Sequence, residues 1–398
     1  MTTFYGRNPS ASSAILHSQK SSDSRGSLGI FTKSPVILTQ QGLQRVHDFL
    51  LQDQSAKLLP RERVSNCLKK RIDKYKKREV KYNEDRKKAH WSNVQRCGSV
   101  WTCPVCAKQI TENRRNELRD GIDAWKKRHN GSVLLLTLTF SHSVGESLKS
   151  LLERQKNAYK RFFENTRVVN IMKLFKVAHK VKALEVTYGN NGWHPHNHVL
   201  LLTKSNTDKS SDLVAELSQH WINVCVKSGL SAPSMTHGLD LRDGTYADKY
   251  VSKWGLDAEL TKVHIKKGRN GGFSPFDLLQ LSLLGADMNE RTSSSLWQEF
   301  GIATKGKRQL VWSRGLKKLL LIDDKTDEEL AQETEQNAIK FCEVDDFIFA
   351  VLCTYQKRHE YLSCLERDWE NGCFGSGEAE QLLIDILELE NRRLSLVA

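Results

Sequence analysis

The chain has 398 residues, enough for two or three domains with real cores, and its apolar (39%) and charged (27%) fractions are ordinary for a soluble protein. No run approaches ~20 consecutive apolar residues, and no basic start leads into an apolar segment at the N-terminus. Neither a membrane span nor a secretory signal is predicted, and a cytoplasmic setting with reduced cysteines is expected. The net charge of +14 is unevenly spread. From Ile322 onward, 7 Lys and Arg face 19 Asp and Glu, a balance of −12, whereas the first 321 residues hold 54 against 28, a balance of +26. So cationic a body suits a polyanionic partner, because neutralised phosphates release counterions.

In chain order, residues 1–35 are Ser-rich without apolar periodicity and read as a disordered tail. Residues 36–128 read as a basic helical module that also binds zinc. Its helical pattern runs from Thr39 to about Lys88, and the second half is crowded with Lys and Arg (CLKKRIDKYKKREVKY). That run is either a solvated helix face or a phosphate-contacting one. A segment bearing Cys97, Cys103 and Cys106 follows and leads into a helix. Residues 129–321 then alternate: a strand at 132–140 (SVLLLTLTF), a helix over 145–165, and two strands flanking Gly189-Asn190-Asn191-Gly192. A helix over 211–227, a short strand at 239–241 and a helix from Thr245 complete the pattern. The order predicts an α+β fold, an antiparallel sheet of the ferredoxin-like kind covered by helices. Residues 322–398 read as a separate acidic helical lobe.

The sharpest feature is Trp193-His194-Pro195-His196-Asn197-His198 running into Val199-Leu200-Leu201-Leu202. Strand side chains alternate faces, so His196 and His198 project to one side. A hairpin symmetric about Asn190 and Asn191 sets Glu185 opposite His196, within cross-strand reach. Two imidazoles and a carboxylate form a divalent-metal site that leaves positions open for a phosphate oxygen and water. His194 shares that face as a spare ligand or DNA contact, but Pro195 keeps it outside the predicted ligand set.

Downstream, Tyr246-Ala247-Asp248-Lys249-Tyr250-Val251-Ser252-Lys253 sets Tyr246 and Tyr250 one helical turn apart. A phenol with a reference pKa of ~10 needs a cation or a polarised electrophile before it acts as a nucleophile. Lys249 and Lys253 are candidates for that help, or for holding phosphates.

The succession LLLTLTF, HPHNHVLLL, YADKYVSK resembles the three motifs of the HUH endonucleases, and is most similar to the rolling-circle replication initiators of small bacterial plasmids. The resemblance runs from about Cys67 to Leu321 and includes WSRGLKK at 312–318. It implies His196 and His198 as ligands of catalytic Mg2+ or Mn2+, with Glu185 as the third, and Tyr250 as the nucleophile that becomes linked to a DNA 5′-phosphate. Some plasmid initiators carry glutamate four residues before that tyrosine, whereas single-stranded phage initiators carry a second tyrosine; Tyr246 follows the two-tyrosine pattern. The resemblance also implies an origin DNA that is single-stranded at the nick, a host helicase and DNA polymerase as partners, and a homodimer as one arrangement. A transposase or relaxase of the same chemistry, and a non-enzymatic zinc-containing DNA-binding regulator, are the competing readings.

Cys103-Pro104-Val105-Cys106 has knuckle spacing, with Cys97 six residues before it. A tetrahedral structural Zn2+ needs a fourth ligand. Similar initiators place a cysteine ahead of such a cluster, which points to Cys67; His90 is the alternative. Cys225, Cys342, Cys353, Cys364 and Cys373 lack ligand spacing and read as packing residues.

Overall fold

The computed structural model describes residues 40–205, 210–253, 272–288, 291–332 and 338–396. The Ser-rich segment predicted to be disordered lies outside the described residues.

The first element, α1 (Gln40–Leu58), ends just before Pro60. The structure corrects the helical reading of the basic run beyond it. After a single 3-10 turn (Arg63–Asn66), the chain forms β1 (Arg78–Asn83) and β2 (Lys88–Ser92). The alternation explains the strands: Val80 pairs with Trp91 and Tyr82 with Ala89, all four buried on one face. Asn83 Oδ1 accepts the Arg86 N–H at 2.9 Å and turns the chain between the strands. The density of Lys and Arg hid a period of two.

The helix α2 (Pro104–His129) leads to a second sheet, built from β3 (Ser132–Leu138), β4 (Val177–Gly189), β5 (Gly192–Thr203) and β6 (Leu239–Arg242). Between these strands come α3 (Leu148–Glu164), α4 (Thr166–Leu174) and α5 (Ser211–Lys227). Then follow α6 (Gly244–Lys253), α7 (Pro275–Leu283), the small hairpin β7 (Asp287–Met288) and β8 (Arg291–Thr292), α8 (Ser293–Thr304) and β9 (Leu310–Trp312). The larger sheet has the order β6-β3-β5-β4-β9 and is antiparallel throughout. The predicted antiparallel sheet covered by helices is present, in a mixed α and β chain.

Both faces of the central strands are buried. On one face Leu136, Leu138, Val199 and Leu201 join a core with residues of α3, α4, α5, α7 and α8, among them Leu151, Phe162, Ile171, Trp221 and Trp297. On the other, Val133, Leu135, Leu200 and Leu202 pack with Leu118, Ile122 and Trp125 of α2 and with Ala247 and Val251 of α6. Phe162 and Trp193 are buried.

The C-terminal elements are α9 (Leu316–Leu320), α10 (Asp327–Gln332), β10 (Ala338–Val344), α11 (Asp346–Thr354), α12 (Arg358–Glu370) and α13 (Glu378–Ser395). They do not stand apart as a lobe. Strand β10 pairs with β1 to make a three-stranded sheet of order β10-β1-β2, and Trp91 packs edge-on against Phe349 at 5.0 Å. Opposite charges explain the docking. Arg45 pairs with Glu366 at 2.7 Å, Arg78 with Asp346 at 2.6 Å, and the buried Arg358 with Asp53 at 2.6 Å. Part of the N-terminal positive charge is therefore met by the acidic end of the same chain.

Candidate active site and zinc centre

The hairpin register agrees with the symmetric reading: Gly189 pairs with Gly192, and Glu185 pairs with His196. Gly192 has φ +85°, and a Cβ there would lie 3.0 Å from the Ser143 carbonyl oxygen, so both conformation and space call for glycine. Glu185, His196 and His198 share the face that carries Leu200 and Leu202, just where the apolar layer ends. His196 Nε2 lies 3.1 Å and His198 Nε2 3.4 Å from Glu185 Oε2. The three donor atoms all lie within 4.8 Å of one another, a spacing at which one divalent cation can touch each of them.

Burial opposes a charge on Glu185, but hydrogen bonds and positive charge from His196 and His198 outweigh it and hold the carboxyl well below its usual range. It is a carboxylate at neutral pH, as a ligand must be. Sequence reasoning missed Thr137. It sits opposite His198 on β3, and its Oγ1 is 3.0 Å from His198 Nδ1, which fixes the ring with Nε2 toward Glu185. The signal was a lone hydroxyl residue within Leu134-Leu135-Leu136-Thr137-Leu138.

His194 stacks on His142, with ring centroids 4.6 Å apart. Burial, with lesser repulsion from His196 and His142, pushes its pKa down to about 3, so this imidazole stays neutral.

Helix α6 brings in the phenol. Ala247 and Val251 bury against the sheet, and Lys126 of α2 pairs with Asp248 at 2.8 Å. Tyr250 is thereby aimed at the triad: its hydroxyl donates to Glu185 Oε1 at 2.8 Å, and its ring centroid lies 4.6 Å from that of His198. Tyr246 is exposed one turn earlier, with the Arg242 guanidinium 4.6 Å and the Lys249 ammonium 5.5 Å from its ring centroid. The side chain of Lys253 lies outside the described residues.

The cysteines form a second centre. Cys67 Sγ lies 3.5 Å from Cys106 and 3.7 Å from Cys103, and Cys97 lies 3.8 Å from Cys106. Four zinc–sulfur bonds of ~2.3 Å at tetrahedral angles set sulfurs ~3.8 Å apart, so the donor set fits structural zinc. The fourth donor is Cys67; His90 belongs to β2 and is not in the group. Burial drives the Cys103 thiol well up, whereas hydrogen bonds led by that from Cys103 drive Cys106 well down. Four buried thiolates would need a cation to coexist. The Cys97 N–H points at Cys67 Sγ at 3.4 Å, and Cys103 occupies the N-cap position of α2, where the helix dipole favours negative sulfur.

A family model described as a replication protein matches residues 88–361, more than two thirds of the chain. The chain belongs to that replication protein family. A "Protein rep" of Streptomyces lividans is 27% identical over 295 residues, covering 58% of this chain and 64% of that protein. A "Protein rep" of Lentilactobacillus hilgardii is 32% identical over 111 residues, covering 27% and 34%. A "Neomycin resistance protein" of Streptomyces cyanogenus is 27% identical over 138 residues, covering 28% and 31%. The matched regions thus span less than two thirds of these relatives. No solved structure matches. The likeness to plasmid replication initiators read from the motifs agrees with the family. Among the described residues no helix is long and apolar enough to cross a membrane.

Proposed function

We propose that this chain initiates rolling-circle replication of a plasmid by nicking one strand at the origin, as an HUH-type nuclease on a ferredoxin-like sheet. The observation that carries the reading is the Tyr250 hydroxyl held 2.8 Å from a carboxylate that two imidazoles also face. A regulator that only bound DNA would have no use for that arrangement.

Mg2+ or Mn2+ held by Glu185, His196 and His198 would offset charge on the scissile phosphate. Tyr250 attacks phosphorus: the Oη–P bond forms as the phenolic proton passes to water, the bond from phosphorus to the 3′ oxygen breaks, and that oxygen takes a proton from water and leaves as a 3′-hydroxyl. The hydrogen bond from the phenol to Glu185 Oε1 positions Tyr250 beside the site. The protein retains the 5′ end as a phosphotyrosine, so the phosphodiester energy is kept for rejoining, and the 3′ end primes a host polymerase behind a host helicase. Tyr246 serves as the second nucleophile that ends the cycle. Its exposure and the cations over its ring suit a group that meets DNA only after the first transfer. Lys249 and Lys253 hold phosphates beside the two phenols. The zinc-bearing module, residues 36–128 with the acidic C-terminal elements packed on it, recognises the origin, and a homodimer would present two such modules.

Incubating the full chain with supercoiled plasmid and Mn2+ tests the reading. Open circles with protein attached to the 5′ end are expected. Bound but intact plasmid would favour the regulator.

A further inference from the structure

Between Cys67 and β1 the chain makes a loop, Ile72-Asp73-Lys74-Tyr75-Lys76-Lys77, whose order and exposure are at odds. One side chain staples it. Asn93 Nδ2 donates to the carbonyls of Asp73 (3.0 Å), Lys76 (2.9 Å) and Lys77 (3.1 Å), and Asn93 Oδ1 accepts the Asp73 N–H at 2.9 Å. Asn93 takes the left-handed conformation to do this, at φ +54°. The base of the loop is laddered as well: Arg71 bridges Val94, and the Gln95 N–H donates to the Lys70 carbonyl at 2.7 Å.

The tip nevertheless covers nothing. Tyr75 is 86% exposed and Ile72 59% exposed, the two large apolar groups amid Lys70, Lys74, Lys76 and Lys77. Fixing backbone costs ~1–2 kcal/mol per residue, normally offset by buried apolar contact, and here none is made. A preordered loop tip that pairs an aromatic ring with ammonium groups matches a partner carrying both stackable rings and anions.

We propose that this loop is a DNA-docking finger, separate from the nicking site, which presses Tyr75 and Ile72 against base pairs of duplex DNA while its lysines hold the flanking phosphates. The identity of the partner rests on the replication reading above; the surface itself does not. The charge complements a polyanion, since Lys70 and Lys74 have no carboxylate partner among the described residues, and Lys76 and Lys77 meet theirs only at 3.8 Å. Duplex is favoured over a single strand because a stapled tip suits wedging at a base step, and no open channel of stacked aromatics lies beside it among the described residues. The finger shares its module with the zinc centre: Leu68 N–H, next to Cys67, donates to the Gln95 carbonyl at 2.7 Å. Zinc held by Cys67 and its partners would fix the ground on which the finger stands.

The test measures binding of the full chain to a labelled random-sequence duplex, and to one of its strands alone, over a range of salt. Tyr75→Ala is expected to weaken duplex binding about tenfold with no change in salt slope, and Lys74→Gln to reduce that slope by about 0.9. Asn93→Ala, which removes the staple and no surface group, is expected to weaken duplex binding too. None of the three should change the rate of nicking a saturating single-stranded oligonucleotide. Tyr75 and Lys74 lie on the surface, so folding and zinc content are expected to be unaltered. Duplex affinity and slope equal to wild type in the Tyr75 and Lys74 variants would overturn the finger; a loss confined to the single strand would overturn the duplex assignment. If the unaltered chain binds duplex and never nicks, the proposed function fails while the finger is still judged by these slopes.

Discussion

At the scale of residues, one carboxylate joins the two halves of the proposed chemistry. Glu185 turns Oε2 toward the imidazoles and Oε1 toward the phenol, so the proposed metal binding and nucleophile placement would be coupled through a single side chain. Thr137 supports that geometry from behind His198. Thr137→Val keeps the shape and removes the hydroxyl; we expect Mn2+ affinity to fall about 10-fold or more, as is typical when a ligand loses its orienting partner. Isothermal titration with Mn2+ would check it, and unchanged affinity would show that the ring is held by packing alone. The triad was legible in the sequence because a strand period of two and a two-residue turn leave little freedom: once Asn190 and Asn191 turn, Glu185 has to face His196. Thr137 was not legible, because its partner is set by a strand pairing across 61 residues that no local pattern encodes. Tyr250 drew meaning only beside the histidines, since a helical tyrosine alone is ordinary.

At the scale of elements, the β4–β5 hairpin and the cysteine cluster are the parts most sensitive to single changes. Gly192→Ala meets both a positive φ and the Ser143 carbonyl; a loss of about 1–2 kcal/mol in urea unfolding is expected, with weaker metal binding because the register beside it shifts. The cysteines make a cleaner contrast. Cys67→Ser should lower zinc content from one equivalent to near none and destabilise the module by several kcal/mol, whereas His90→Ala should keep its zinc. Zinc retained in the first variant and lost in the second would reverse the ligand assignment. The basic run is where reading by element went astray. Lys and Arg fill the exposed positions of strands as readily as those of a helix, so composition masked the alternation of Val80, Tyr82, Ala89 and Trp91.

At the scale of the whole molecule, the acidic C-terminal elements complete the N-terminal module. Counting charge by segment suggested a lobe of its own; the negative charge instead meets Arg45 and Arg78, Arg358 of α12 reaches back to Asp53 of α1, and β10 covers the edge of β1. Pairings across some 300 residues are invisible to local periodicity. That interface predicts a pH dependence. Burial drives His90 and His359 down to about 4 in the folded chain, followed for each by repulsion from nearby cations. Unfolded, each returns to ~6.5, so between those values the unfolded chain binds more protons and stability rises with pH. The urea midpoint should therefore be level above about pH 7, fall from there toward pH 4, and lose this contribution to the slope below about pH 4, at up to ~1.4 kcal/mol per pH unit for each histidine. Gln in place of both histidines should flatten that fall; an unaltered fall would assign it to other groups.

The central claim is that Tyr250 takes the DNA. The most direct measurement is mass spectrometry of tryptic peptides after reaction of the full chain with an origin-bearing single strand and Mn2+. The account predicts a nucleotide adduct on the peptide containing Tyr250, absent without metal and absent in Tyr250→Phe. Cleaved DNA with the first adduct on Tyr246, or with no protein attached, would contradict it.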